Sequence, residues 1–355
     1  MKQILIHSLE ANVGDLFNPD ARDNCTEPWI SLKDRLHRLG YDLQHARLAS
    51  VEGSDWILFL DAASVYGATL KERVARHALR RDGVVARNVY RECLHARLQD
   101  RMALILLESP AIMPRNSDPR LHASFPIIFT WNDEYIDGKK FHKLRMPQPH
   151  RFPVIEPVVF ANKKLLVNIS ANKYQNYPGE LYSERRKSIR HFEAKRSDDF
   201  DLYGLGWNKP VGLTQRLLHY TPPTYTSYRG TVTHKWDTFP HYRFALCYEN
   251  VRDEPGFITE KIFDCMRADC VPVYWGASNV TASIPSRAFI DRRLFKSNDE
   301  LENYLVHMSE VEYECYRSAI REFLASEAFR LFLGDAFSDQ IIRVLGLEPI
   351  AEPRS

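Results

Sequence analysis

No stretch of this 355-residue chain is apolar for long enough to cross a bilayer as a helix. The N-terminal MKQILIHSLEANVGD loses its apolar run at His7 and Glu10, too soon for the core of a secretory signal, and no small-residue cleavage site follows. The expectation is a cytoplasmic protein without a transmembrane segment. Charge of one sign is also missing: 48 basic and 46 acidic residues leave a net +2, so nothing general favours nucleic acid. An anion site must be local, which suits a small phosphorylated ligand. The six cysteines (25, 93, 247, 265, 270 and 315) form no Cys-x-x-Cys pair and read as buried, reduced thiols. The thirteen histidines contain no His-Glu-x-x-His. Internal repeats, heptads and low-complexity tracts are lacking as well.

What is present is a hydrophobic fraction of 44%, with 12% aromatics, enough for two cores. Apolar runs alternate with helical patterns. Residues 3–8, 55–60, 101–107 and 125–130 read as strands, with helices over 28–39 and 68–81. Four prolines between Met146 and Pro157 interrupt the pattern and read as a linker. Beyond them strands are expected over 164–170, 201–203, 242–248 and 271–275. Helices are expected over 183–195, with a capping-box-like start, and over 259–267, then mostly helix from Asn298 to Gly346 with a break near Gly334. Strands separated by helices imply parallel sheets. The fold class expected is therefore α/β: two Rossmann-like domains facing a cleft, residues 1–150 and 151–330, with a helical C-terminus over 331–355. Ligands of such folds lie at the carboxyl ends of the strands.

The densest chemistry follows the strand 242–248. Glu249-Asn250 ends it, a loop with Pro255-Gly256 follows, and Thr259-Glu260-Lys261 opens a helix. A helix N-terminus offers unpaired N–H groups and a favourable dipole to a phosphate. Lys261 adds positive charge toward a diphosphate, and Glu260 suits a ribose diol. Helix capping alone would also explain Thr, Glu and Lys in a first turn.

These pieces, together with Val271-Pro272-Val273 and Gly276, resemble in order and spacing the donor signature of the α-1,3-fucosyltransferase family, glycosyltransferase family 10. Ile284-Pro285 with Phe289-Ile290-Asp291, Ser183-Glu184-Arg185-Arg186, and Asp201-Leu202-Tyr203-Gly204 extend the resemblance, which is dense from about Leu165 to Asp291. Glu108-Ser109-Pro110, after a strand, resembles the acceptor-domain motif. The resemblance implies a GT-B fold and an inverting transfer of L-fucose from GDP-fucose to a glycan hydroxyl. The first domain would bind the acceptor and the second the GDP-sugar. Glu108 would be the general base, deprotonating the acceptor hydroxyl before an oxocarbenium-like transition state. Asn250, Glu260 and Lys261 fall on donor-binding positions. Arg185 aligns best with the diphosphate-holding arginine, with Arg186 the alternative. Phe257 stands where the family often has tyrosine, so a hydroxyl contact is lost while packing survives. Tail heptads of some bacterial members are absent.

Asp198-Asp199-Phe200-Asp201 has a DxD-like spacing but reads as a strand entry, so no divalent metal is expected. Trp131, Trp207, Trp236 and Trp275 read as buried packing. The segment 220–228, rich in tyrosine, reads as a mobile loop. Two alternatives stay open: a transferase using another GDP-sugar, and a silent sugar-nucleotide or glycan-binding protein. A setting at the inner membrane face, on a polysaccharide precursor, fits the missing signal and anchor.

Overall fold

The structure, a computed structural model, describes residues 1–8, 15–66, 87–209 and 224–350. The helix expected over 68–81 and the first part of the 220–228 segment lie outside the described residues. The chain packs as two compact units: residues 1–21, 26–149 and 333–355 form one, and 22–25 with 150–332 the other. The proline-rich stretch thus holds the junction, and the C-terminal segment from Leu333 packs within the first unit.

The first unit is built on a six-stranded parallel sheet of β1 (Lys2–His7), β2 (Tyr41–His45), β3 (Trp56–Leu60), β4 (Met102–Leu106), β5 (Ile127–Thr130) and β6 (Phe141–Lys143), in the order β2-β1-β3-β4-β5-β6. Ile4, Leu5, Ile6, Leu58, Phe59, Leu104 and Ile105 are fully buried, as expected for strands covered on both faces. β2 and β6 escaped the sequence reading because β2, YDLQH, alternates polar and apolar residues, and β6 has only three residues. Helix α1 (Glu27–Arg38) covers one face, and α2 (Asp61–Tyr66), α3 (Val89–His95) and α4 (Pro119–Ala123) follow β3, the undescribed segment and β4.

The second unit carries β7 (Lys164–Ile169), β8 (Phe200–Tyr203), β9 (Tyr242–Tyr248), β10 (Val271–Trp275) and β11 (Ile290–Asp291), in the order β11-β10-β9-β7-β8, all parallel. Helices α5 (Tyr182–Lys195) and α6 (Glu260–Arg267) make crossovers; α7 (Asn298–His307), α8 (Glu310–Leu324) and α9 (Glu327–Arg330) follow the sheet. The capping box expected at Ser183 does not form. Instead the Glu180 carboxylate, three residues upstream, takes the Ser183 N–H at 3.0 Å and its hydroxyl, satisfying a first-turn donor from outside the helix.

The interruption expected near Gly334 falls at residues 331–333, and Gly334 starts α10 (Gly334–Val344), which packs on α1 in the first unit. A Cβ there would lie 3.1 Å from Pro28 Cα, so glycine permits the close approach. Trp29 and Phe337 meet edge-to-face across that contact, 5.0 Å between centroids. Cysteines 93, 247, 265 and 270 are buried and unbridged, but Cys25 and Cys315 are exposed, because they fall on a turn and on the outer side of α8. Among the described residues no helix is long and apolar enough to cross a membrane.

Candidate functional site

Each sheet reverses its strand order at one place. In the second unit β7 connects to β8 on one side while β9, β10 and β11 build on the other, so β7 and β9 flank the point where a crevice opens at the carboxyl edge. A small cavity of about 20 Å³ lies there, lined by Ile169, Ser170, Arg185, Lys235, Tyr248 and Lys261 among others. The topology brings three cations of distant sequence to one place.

Glu249, with no exposed surface, organises this edge. Its carboxylate takes the Thr259 N–H and hydroxyl, both at 2.8 Å, and the Lys261 ammonium at 2.9 Å. Thr259 caps α6 while its hydroxyl takes a second bond from Lys261 Nζ at 2.8 Å. Gly276 is required beside it: a Cβ would fall 2.4 Å from Tyr274 Oη and 2.5 Å from Glu249 Cγ. Burial disfavours the Lys261 charge, but Glu249 and Glu260 more than offset it and raise its pKa. Burial likewise opposes the Glu260 charge, yet Lys261 and Lys235 bring its pKa down to about 2. Glu260 keeps 46% of its side chain exposed, leaving the carboxylate open to a ligand.

Arg185 is 3% exposed, and its guanidinium donates to the carbonyls of Tyr248 and Glu249 at the end of β9. Burial lowers its pKa, and among the described residues no carboxylate contacts it in the way Glu249 contacts Lys261. It therefore brings positive charge to the cavity wall while tying α5 to β9. Arg186, one residue on, turns outward: it donates to the Lys173 carbonyl at 2.7 Å and stands over the exposed Tyr174. It lines a shallow surface groove with Lys187, Arg190 and Tyr225 rather than the Arg185 cavity. Asn250 is half-buried beside Glu249, its carbonyl accepting from Leu181 N–H at 3.0 Å. Phe257 is buried, and its carbonyl accepts from Tyr274 Oη at 3.3 Å, so its ring packs in the interior.

Lys235 was not singled out by sequence, since it lies in a short turn before β9 with no motif around it. Its ammonium is 2.6 Å from Asp264 and 3.9 Å from Glu260. Against the cost of burial, these acids raise its pKa. Glu249 appeared in the sequence only as a motif letter; its burial explains why the motif holds a carboxylate there.

A larger cavity, about 530 Å³, lies at the opposite, amino end of the same sheet and includes Lys164, Asp201, Arg229 and Tyr242. Asp201, from the DxD-like run, accepts there from Lys164, Arg229 and Tyr242, each at 2.7 Å. Its three partners account for its burial. Trp131 and Trp207 are buried, while Trp236 and Trp275 are only partly so; Trp236 stacks on His234 at 4.4 Å.

In the first unit Glu108 is half-buried two residues past β4. Its N–H donates to Asp61 Oδ1 at 3.1 Å, and its carbonyl accepts from Asn116 Nδ2 at 2.9 Å. The strand order of this sheet reverses between β1 and β3. His7, at the end of β1, is buried 5.8 Å from the Phe59 ring, and burial brings its pKa down to about 3.

Residues 182–323 match the model of the glycosyltransferase family 10 (fucosyltransferase) C-terminal domain. An α-(1,3)-fucosyltransferase FucT of Helicobacter pylori is 32% identical over 77 residues, which is 22% of this chain and 16% of that protein. An α-(1,4)-fucosyltransferase of Arabidopsis thaliana is 38% identical over 80 residues, 22% of this chain and 20% of that protein. The matches thus span a fifth or less of these relatives. Among solved structures, an α1,3-fucosyltransferase covers 97% of this chain and 90% of its own at TM-score 0.51 and 13% identity. The β-glucosyltransferase of phage T4 covers 97% and 99% at TM-score 0.51 and 12% identity. Two Rossmann-like units with these neighbours make the fold GT-B. Over residues 182–323, within its second unit, the chain is similar to the C-terminal domain of glycosyltransferase family 10.

Proposed function

We propose that this protein is an inverting glycosyltransferase that moves L-fucose from GDP-fucose to a hydroxyl of a glycan acceptor. The observation that carries the reading is the convergence of Lys261, Lys235 and Arg185 on one cavity at the strand-order reversal of the second sheet, beside the N-terminus of α6. That edge suits a diphosphate, whose charge the cations and helix end neutralise. Glu260, ionised and half exposed, accepts from the ribose diol, and Asn250 adds an amide nearby. The donor sugar is supported by the family match and by a neighbour of the same fold solved with GDP-fucose.

Glu108 is the general base of this reading. It removes the acceptor hydroxyl proton as the oxygen attacks the anomeric carbon from the face opposite GDP, and the C–O bond to the β-phosphate breaks. GDP leaves as an anion toward Lys261 and the buried charge of Arg185; Arg186, on the surface groove, has the lesser part. The residues account for the steps without a metal ion.

The test is nucleotide release from GDP-fucose, GDP-mannose and UDP-sugars over β-galactoside and N-acetylglucosamine acceptors, with and without chelator. Release of GDP from GDP-fucose alone, stimulated by one acceptor and indifferent to chelator, is expected. Turnover of GDP-mannose in preference would overturn the donor, and GDP binding without turnover of any donor would overturn the activity.

A further inference from the structure

Glu108 sits on a loop held in an unusual way. β4 ends at Leu106, and beyond it a single oxygen, Asp61 Oδ1, accepts from three donors: Leu107 N–H at 2.8 Å, Glu108 N–H at 3.1 Å and Asn116 Nδ2 at 2.7 Å. Asn116 closes the loop from the other side. Its amide donates to the Glu108 carbonyl at 2.9 Å, and its Oδ1 takes the Ala62 N–H at 2.8 Å. Both main-chain polar groups of Glu108 are thereby fixed by side chains from two other segments. Asn116 is itself 4% exposed, and its carbonyl accepts from His122 Nε2 at 2.7 Å, a ring set edge-on to Tyr135 and Phe141. The clamp is anchored in the packed interior.

Asp61 adopts φ of +54° at the turn from β3 into α2. Glycine would relieve that conformation, and a side chain is tolerated there best when it bonds locally, as aspartate does. Backbone strain of this kind persists where surrounding structure holds it, often at sites that need fixed geometry. Here the carboxylate bonds the two peptide N–H groups that aim Glu108.

We infer that Asp61 and Asn116 are positioning residues for the reaction: they hold the Glu108 main chain so that its carboxylate meets the acceptor hydroxyl. The inference rests on the assignment of Glu108 as general base. A base must lie within hydrogen-bond reach of the proton it takes, and a displacement of about 1 Å can cost on the order of a hundredfold in rate. A clamp that merely closed a loop would affect melting and leave kcat alone.

The experiment measures GDP release by the full-length protein from GDP-fucose with N-acetyllactosamine as acceptor, well below the melting temperature, together with GDP affinity. In Asp61→Ala and Asn116→Ala, kcat should fall about 10–100-fold while donor KM and GDP affinity stay within about twofold. Asp61→Asn keeps an acceptor oxygen and should recover much of the loss; it also serves if Asp61→Ala does not fold. The double variant Asp61→Ala/Glu108→Gln should be no slower than Glu108→Gln alone, since residues acting as a unit are not additive. Wild-type kcat in both alanine variants, or losses that multiply in the double variant, would overturn the inference while leaving the base in place. Wild-type turnover in Glu108→Gln would instead remove the base assignment, and this inference with it.

Discussion

Among the described residues, the ionisable groups at the carboxyl edge of the first sheet include His7, His45, Asp61 and Glu108; those of the second include Arg185, Lys235, Glu249, Glu260 and Lys261. Both edges belong to parallel sheets with a reversal of strand order, so topology alone does not distinguish them. The residues do. In the second unit each lysine has acids within 4 Å, which keep it charged despite burial. In the first, His7 and His45 are buried without a carboxylate contact among the described residues, and burial first, then neighbouring cations, brings their pKa values down to about 3 and about 4. One edge gathers paired charges; the other buries neutral histidines near the single proposed base.

The sharpest way to break this comparison is to strip the second edge of its cation. Lys261→Ala leaves Glu249 buried and unneutralised, and about 3 kcal/mol of stability should be lost, with GDP affinity falling at least tenfold. Denaturant unfolding and calorimetric titration with GDP measure the two, and a variant normal in both would show that the pair neither braces the edge nor meets the diphosphate. Glu108→Gln is the counterpart in the first unit. It should bind GDP normally yet lose transfer by on the order of a hundredfold, about 2.7 kcal/mol of barrier. Single-turnover assays give the rate, and unchanged turnover would empty the first edge of its proposed chemistry.

Acid should then separate the units. A histidine whose folded pKa is depressed leaves stability complete above its unfolded value of about 6.5 and erodes it as pH falls toward the folded value. For His7 that window runs from about 6.5 down to about 3. Glu260, with its folded pKa brought down to about 2, contributes stability that is lost only between about 4.3 and 2. Melting between pH 7 and pH 4.5 should therefore weaken the first unit by about 2 kcal/mol and spare the second. His7→Phe should reduce that dependence, leaving the part that His45 contributes, and an unaltered pH profile in the variant would remove His7 as a cause. Gly276→Ala would set a Cβ 2.4 Å from Tyr274 Oη and 2.5 Å from Glu249 Cγ, so both buried side chains must give way by about an ångström; about 1–3 kcal/mol of destabilisation is expected in urea unfolding.

Much of the second unit was legible from residues alone. β9 and β10 fall where the apolar runs place them, and Thr259 caps α6 as its position before Glu260-Lys261 suggests. These signals are local: period, cap and turn chemistry act within a few residues. The first unit was thinner in the same terms. The polar alternation of β2 and the brevity of β6 weaken their patterns, and Asp61 carries no motif at all.

By itself, then, the sequence determined the alternation of strand and helix, the helix start at Thr259-Glu260-Lys261, and the family likeness of the second unit. Only the tertiary structure decided that adjacent Arg185 and Arg186 face a buried cavity and a surface groove respectively. Only it joined Lys235 to Lys261, Glu249 to Gly276, and Asp61 to Glu108. The reason is physical. Helix phase turns neighbouring side chains about 100° apart, and burial and partners, which set charge and orientation, come from segments tens of residues away that only packing brings into contact.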